Sequence, residues 1–291
     1  MPLLVLFGLA MLYIGWALSA PWRQRRRRER WAARPFPAAW RTVLRRRVPM
    51  FARLPPDLQL QLKRHMQVFL AEKAFIGCGG LRVTDEMRVV IAAQACLLLL
   101  NRAPDPFPTL RQILVYPGAF VVDRVRTEAG AVQREERQVL SGESWSQGQV
   151  VLSWQDTLAG AAIADDGRNV VIHEFAHQLD QEKGYASGAP YLDSARDYAR
   201  WSRVLAAEYA RLQQRGPGEP GLLSDYAATD PAEFFAVATE VFFEQGELLA
   251  QESPALYGEL SRFYRVDPAS WDGRRPVAPL AAPPAPGAGV F

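Results

Sequence analysis

Apolar positions change period several times along the chain, and each change marks an element. From Leu3 to Ala20 the run LLVLFGLAMLYIGWALSA carries no charged side chain. Wound as a helix at ~1.5 Å per residue, it approaches the ~30 Å hydrocarbon thickness of a bilayer, which predicts a transmembrane helix. Leu58, Leu62, Met66, Phe69 and Leu70, following Pro55-Pro56-Asp57, have the spacing of an amphipathic helix that GCGG at 77–80 ends. Thr84 with Asp85 and Glu86 reads as an N-cap and an acidic first turn. The following MRVVIAAQACLLLLN is apolar almost all round, as a buried central helix must be. ILVYPGAFVV (113–122) and VVLSWQD (150–156), rich in β-branched and aromatic residues, read as strands, and from Asn169 onward the period is helical. The last stretch, GRRPVAPLAAPPAPGAGVF, has too little apolar patterning to pack and reads as a disordered tail. The order of elements predicts an α+β fold, mainly helical with a small sheet, over residues 49–272. An anchor at 1–22, a basic juxtamembrane linker at 23–48 and the tail at 273–291 flank it.

Composition narrows the class. With 49% hydrophobic and 22% charged residues among 291, the chain is neither disordered, collagenous nor a disulfide scaffold. Its charge is unevenly placed: residues 23–47 hold eleven arginines and one glutamate, net +10 against +3 for the whole chain, so the remainder is net acidic. A broad basic face for nucleic acid is therefore absent, and no direct nucleic-acid partner is expected. Arginines directly after an apolar run mark its cytoplasmic side, so the expected location is the inner (cytoplasmic) membrane, single-pass, with the rest of the chain in the cytoplasm. The same arginines offer a contact to anionic lipid. A cleavable signal fits less well, because the positive segment that should precede the apolar run is missing. Cys78 and Cys96 are too few for a disulfide framework and suit a reducing compartment.

The chemistry lies in NVVIHEFAHQLDQEKG. His173-Glu174-Phe175-Ala176-His177 is an H-E-x-x-H sequence, and on a helix the two histidines project from one face with Glu174 beside them. Two of only three histidines are used here; the third, His65, reads as structural. A catalytic zinc needs a third protein ligand, and positions 180 and 183 are Asp and Lys rather than the Gly and His of the extended motif. The third ligand should then be a carboxylate further on, with Glu182, Glu208, Glu219, Glu233, Glu240 and Glu244 as candidates. Glu233 is favoured by SDYAATDPAEFFAVATEVFF, where Asp230 can cap and Pro231 can open a helix, although Asp230 and Glu233 also fit a plain capping box. Asp180 and Glu240 are placed either to orient a ligand or to serve as ordinary surface charges. VVLSWQD reads as a core strand, with pairing of an extended peptide to its edge as the alternative.

Three stretches together, HEFAHQLD (173–180), DYAATDPAEFFA (225–236) and EKAFIGCGGLRVTDEMRVVIAAQACLLLL (72–100), resemble the Mlc titration factor A family of zinc-dependent peptidases over about residues 50–270. The resemblance implies a zincin-type metallopeptidase domain with one Zn2+ per chain. It implies His173, His177 and Glu233 as ligands, Glu174 as catalytic base, and Tyr226 as a catalytic residue facing the metal. The His, His, Tyr, Glu layout is similar to the catalytic domain of lethal-factor-type zincins. It implies further a peptide or protein substrate, activity of aminopeptidase type or regulatory proteolysis, and binding of the glucose repressor Mlc, a transcriptional regulator. The expectation is a membrane-anchored zinc peptidase. The alternative is a zinc-containing regulatory protein that sequesters a transcriptional regulator without significant turnover. The apolar run and the arginines depart from the soluble founding members of that family.

Overall fold

The computed structural model describes residues 2–102, 107–128, 132–140, 142–145, 148–216 and 218–271. Helices α1 (Pro2–Leu18), α2 (Ala20–Ala32), α3 (Ala38–Arg47), α4 (Met50–Arg53) and α5 (Pro56–Glu72) come first, followed by strand β1 (Ala74–Gly77) and helix α6 (Asp85–Leu97). Strands β2 (Gln112–Tyr116), β3 (Phe120–Glu128), β4 (Val132–Leu140), β5 (Gly142–Trp145) and β6 (Gln149–Ser153) form the middle of the chain. The rest is helical: α7 (Trp154–Ala162), α8 (Val170–Asp180), α9 (Ala195–Gln214), α10 (Pro231–Glu244), α11 (Gly246–Glu252) and α12 (Pro254–Tyr264). The α+β, mainly helical expectation holds among the described residues.

The sheet is four-stranded in the order β1-β2-β6-β5, with β1, β2 and β6 parallel and β5 antiparallel on the edge beside β6. Ile113, Val115, Val150 and Leu152, paired in register, share one face of the sheet and are all fully buried, whereas the other face of β2 is only partly covered. The run ILVYPGAFVV supplies strands to two sheets: Ile113–Tyr116 enters the main sheet, whereas Phe120 opens a separate hairpin in which β3 pairs with β4 from Phe120↔Leu140 to Glu128↔Val132. VVLSWQD is a strand only to Ser153, whose hydroxyl accepts the Asp156 N–H at 3.2 Å and caps α7. Because β6 is hydrogen-bonded on both sides, it has no edge to offer a peptide.

The N-terminal expectation is corrected. No helix among the described residues is long and apolar enough to cross a membrane. α1 has 17 residues, which span about 26 Å, and the arginine-rich α2 follows it after Ser19. The single-pass inner-membrane placement with the domain facing the cytoplasm falls with it. The stretch read as a linker is helical and packed. In α2, Arg28 makes a two-pronged ion pair with Glu72 of α5 at 2.7 and 2.9 Å. In α3, Leu44 is fully buried, and Arg46 and Arg47 both reach Glu86 of α6 at 2.7 Å. The tail at 273–291 lies outside the described residues.

α8 is held from three directions. Phe175 on one side meets Phe107 and Phe69 with ring centroids 4.7 and 5.8 Å apart. β5 passes close enough that a Cβ on Gly142 would stand 2.5 Å from Glu174 Oε1 and 2.7 Å from Val170 Cγ2. α10 packs along the remaining face, and its alternating large apolar residues, among them Phe234, Phe235, Phe242 and Phe243, are all buried.

Candidate metal centre

α8 starts where the sequence provides a cap: the Asn169 side chain accepts the Ile172 N–H at 3.1 Å. One turn on, His173 and His177 stand on the face turned to α10, with Nε2 atoms 3.2 Å apart. α10 begins at Asp230, whose carboxylate accepts the N–H groups of Ala232 and Glu233 at 2.8 and 3.0 Å. The capping role is thus filled by Asp230 alone. The Glu233 side chain points to the histidines instead, with Oε2 3.0 Å from His173 Nε2 and 3.5 Å from His177 Nε2. Ligand atoms of His173, His177 and Glu233 all lie within 4.8 Å of one another, the one such grouping among the described residues. Of the other acids named as third-ligand candidates, Glu240 meets His173 from behind, at Nδ1, and Glu208 pairs with Arg211.

Hydrogen bonding identifies what the three atoms need. His173 Nδ1 lies 2.8 Å from Glu240 Oε1 and donates to it; in the neutral ring, the form that would bind a metal, Nε2 then carries the lone pair. That lone pair faces a carboxylate oxygen and a second imidazole nitrogen. A cation satisfies all three at once, and two imidazoles with one carboxylate are a donor set suited to zinc. Burial opposes ionisation of Glu233, yet the hydrogen bonds and charges of the two histidines outweigh it and hold its carboxyl well below the usual range. Burial also opposes charge on His173, but hydrogen bonds to Glu233 and Glu240 prevail and raise it.

Glu174, on the same helix, is buried, and its Oε2 has no hydrogen-bond partner. Desolvation pushes its carboxyl up to about 7 against the pull of both histidines. Tyr226 sits in a short 3-10 turn, Asp225–Ala228, 49% exposed, with its ring centroid 6.0 Å from that of His173. The five sequence-predicted site residues therefore lie around one point.

Glu240 takes the orienting position, and Asp180 does not: one of its oxygens accepts the Ser187 and Gly188 N–H groups at 2.7 Å each, fixing the loop after α8 rather than a histidine. One candidate ligand takes another role, and one further residue, Gly142, escaped the sequence reading. Glu244 accepts from the Asn169 side chain at 2.9 Å and the Arg168 N–H at 3.2 Å, and burial drives its carboxyl up to about 8. Gly142 allows β5 to pass over Glu174. Only the period of α10 hinted at the first, since Glu233, Glu240 and Glu244 share one face; nothing local marks the second.

Residues 22–265 match the family described as glucose-regulated metallo-peptidase M90. An uncharacterized protein of a Synechocystis strain is 41% identical over 268 residues, 91% of this chain and 96% of that protein. Mlc titration factor A of Klebsiella pneumoniae is 37% identical over 225 residues, 76% of this chain and 84% of that protein. The Mlc titration factor A of Salmonella agona is 36% identical over the same shares.

Proposed function

The chain belongs to the glucose-regulated metallo-peptidase M90 family, and from that premise we propose that it is a zinc-dependent peptidase acting on a peptide or protein substrate. The observation that carries this reading is the buried Glu174 carboxylate, unpartnered at Oε2, beside the convergent His173, His177 and Glu233. A site that only held metal would need no base there. His173, His177 and Glu233 would hold zinc, which when bound would supply a Lewis acid and make water a better nucleophile near neutral pH. Glu174, raised into the same range by burial, takes the proton of the attacking water and delivers it to the leaving amine. Tyr226, from the open side, donates its hydroxyl to the oxyanion that develops on the substrate. Glu240 keeps His173 in the tautomer that presents Nε2. The reaction class is peptide-bond hydrolysis, of aminopeptidase type or in regulatory proteolysis.

The name carried by the Klebsiella and Salmonella relatives favours a second reading, in which the domain binds and sequesters a transcriptional regulator of Mlc type without significant turnover. One experiment separates the two. The full chain and its Glu174→Ala variant, matched in zinc content, are offered a panel of aminoacyl and short peptide substrates. Hydrolysis reduced at least a thousandfold in the variant is the expected result. Equal, negligible hydrolysis in both would overturn the peptidase reading in favour of sequestration.

A further inference from the structure

A second cavity of about 500 Å³ opens away from the metal centre; none of the residues that form that centre lines it. Its walls come from the end of α6, the end of α8, the segment 191–193, α9 and α12. The cavity is pre-formed. Trp201 Nε1 donates to Gly188 O at 2.8 Å and the Leu192 N–H donates to Tyr198 Oη at 3.0 Å, pinning the loop wall to α9. On the opposite side, Asn101 Nδ2 donates to Arg265 O at 2.9 Å and ties the turn after α6 to the end of α12.

Four guanidinium groups line it, and accounting for their partners separates one from the rest. Arg200 is held by Glu259 at 2.8 Å and Asp197 at 2.9 Å, and Arg262 by Glu259 at 2.7 Å. Arg265 reaches Asp193 at 3.4 Å, both side chains being largely exposed, a pairing that holds little. Arg102 has no carboxylate within ion-pair distance among the described residues. It rests on the Phe263 ring, 4.2 Å from its centroid, and spends one of five N–H donors on the Phe263 carbonyl at 3.3 Å. Burial works against its charge, whereas Tyr264 and two carboxylates that also line the cavity, Glu182 and Asp193, favour it and Arg265 opposes it. Among the described residues this half-buried guanidinium makes one hydrogen bond, and its remaining N–H donors are available to an anion in the cavity.

We propose that this cavity binds a small organic oxyanion, a phosphate monoester or an ionised carboxylic acid, with the Arg102 guanidinium as its principal ligand and Arg265 as the second. The cavity is several times larger than a bare oxyanion, and Leu99, Leu179, Leu192 and Tyr191 provide an apolar wall for the body of the molecule. The site is independent of the metal reading, since it shares no residue with it.

Phenyl phosphate and benzoate, titrated calorimetrically into the full chain at low ionic strength, distinguish the phosphate from the carboxylate source. Saturable binding of either at one site per chain is expected, weakened at least tenfold by Arg102→Gln and unchanged by Glu233→Ala. Equal binding by wild type and Arg102→Gln, loss in Glu233→Ala instead, or no binding of either probe would overturn the proposal. Hydrogen exchange on the unaltered chain decides the matter if Arg102→Gln does not fold: the probe must protect backbone amides in 191–202 and 259–265, and their indifference would refute the site.

Discussion

His173 Nδ1 and Glu240 Oε1 lie 2.8 Å apart, and the second oxygen of Glu240 accepts the backbone N–H of Asn169, the cap of the helix that carries His173. One carboxylate thereby sets both the ring tautomer and the start of the helix. α10 contributes Glu233, which faces both histidines, and, two turns later on the same face, the acid that holds His173 Nδ1.

Replacing Glu240 should therefore act on metal affinity before anything else. Glu240→Ala is expected to weaken zinc binding about 10- to 100-fold in a chelator competition, with Glu240→Gln in between because its amide oxygen can still accept one of the two bonds. Wild-type affinity in Glu240→Ala would remove Glu240 from the support of His173.

The third ligand calls for a different readout. Glu233→Ala should lower zinc stoichiometry in the purified chain, and a chelator should abolish hydrolysis by the wild type until zinc is restored. Unchanged stoichiometry in the variant would send the assignment to another residue.

Gly142 is the place where a single methyl group tests the base. A Cβ there would meet Glu174 Oε1 at 2.5 Å and Cγ at 2.7 Å, so β5 or the Glu174 side chain must move. Gly142→Ala is expected to lower kcat/KM at least tenfold with zinc content intact. Full activity would mean that the strand yields without disturbing Glu174.

Gly188 joins three elements. Its N–H serves Asp180 of α8, its carbonyl accepts Trp201 of α9, and a Cβ at its φ of +75° would lie 2.3 Å from Pro231 O at the head of α10. Both the left-handed backbone and the clash oppose a side chain, so Gly188→Ala should cost about 1–3 kcal/mol in denaturant unfolding. A change under ~0.5 kcal/mol would show that the loop relaxes freely.

His65 predicts an acid dependence. Burial lowers its imidazole from 6.5 to about 4, and Nε2 has no partner. Between those values the unfolded chain binds a proton that the folded chain refuses, so stability is complete above about pH 6.5. It should then fall by about 1.4 kcal/mol per pH unit as pH drops towards 4. His65→Leu should flatten that slope relative to wild type, and parallel pH profiles would exclude His65 as the cause.

What could be read from the sequence alone follows from range. The His173–His177 pair, the Asn169, Thr84 and Asp230 caps and the buried α6 are matters of residues three or four apart, which helix geometry fixes without help from the rest of the chain. The same local logic favoured Glu233 but could not tell a ligand from a capping-box partner. That the Glu233 side chain turns to the histidines depended on α10 lying against α8, a contact between residues 60 positions apart. Hydropathy likewise described the N-terminal run correctly as apolar, yet its reading as a span failed, because no helix among the described residues is long and apolar enough to cross a membrane. The arginines after it looked like a linker because their partners, Glu72 and Glu86, stand about 40 residues away. Gly142 over Glu174, Glu240 behind His173 and the unspent donors of Arg102 arise only where distant segments meet. Tertiary structure decided them because burial and hydrogen-bond satisfaction are settled by neighbours in space rather than in sequence.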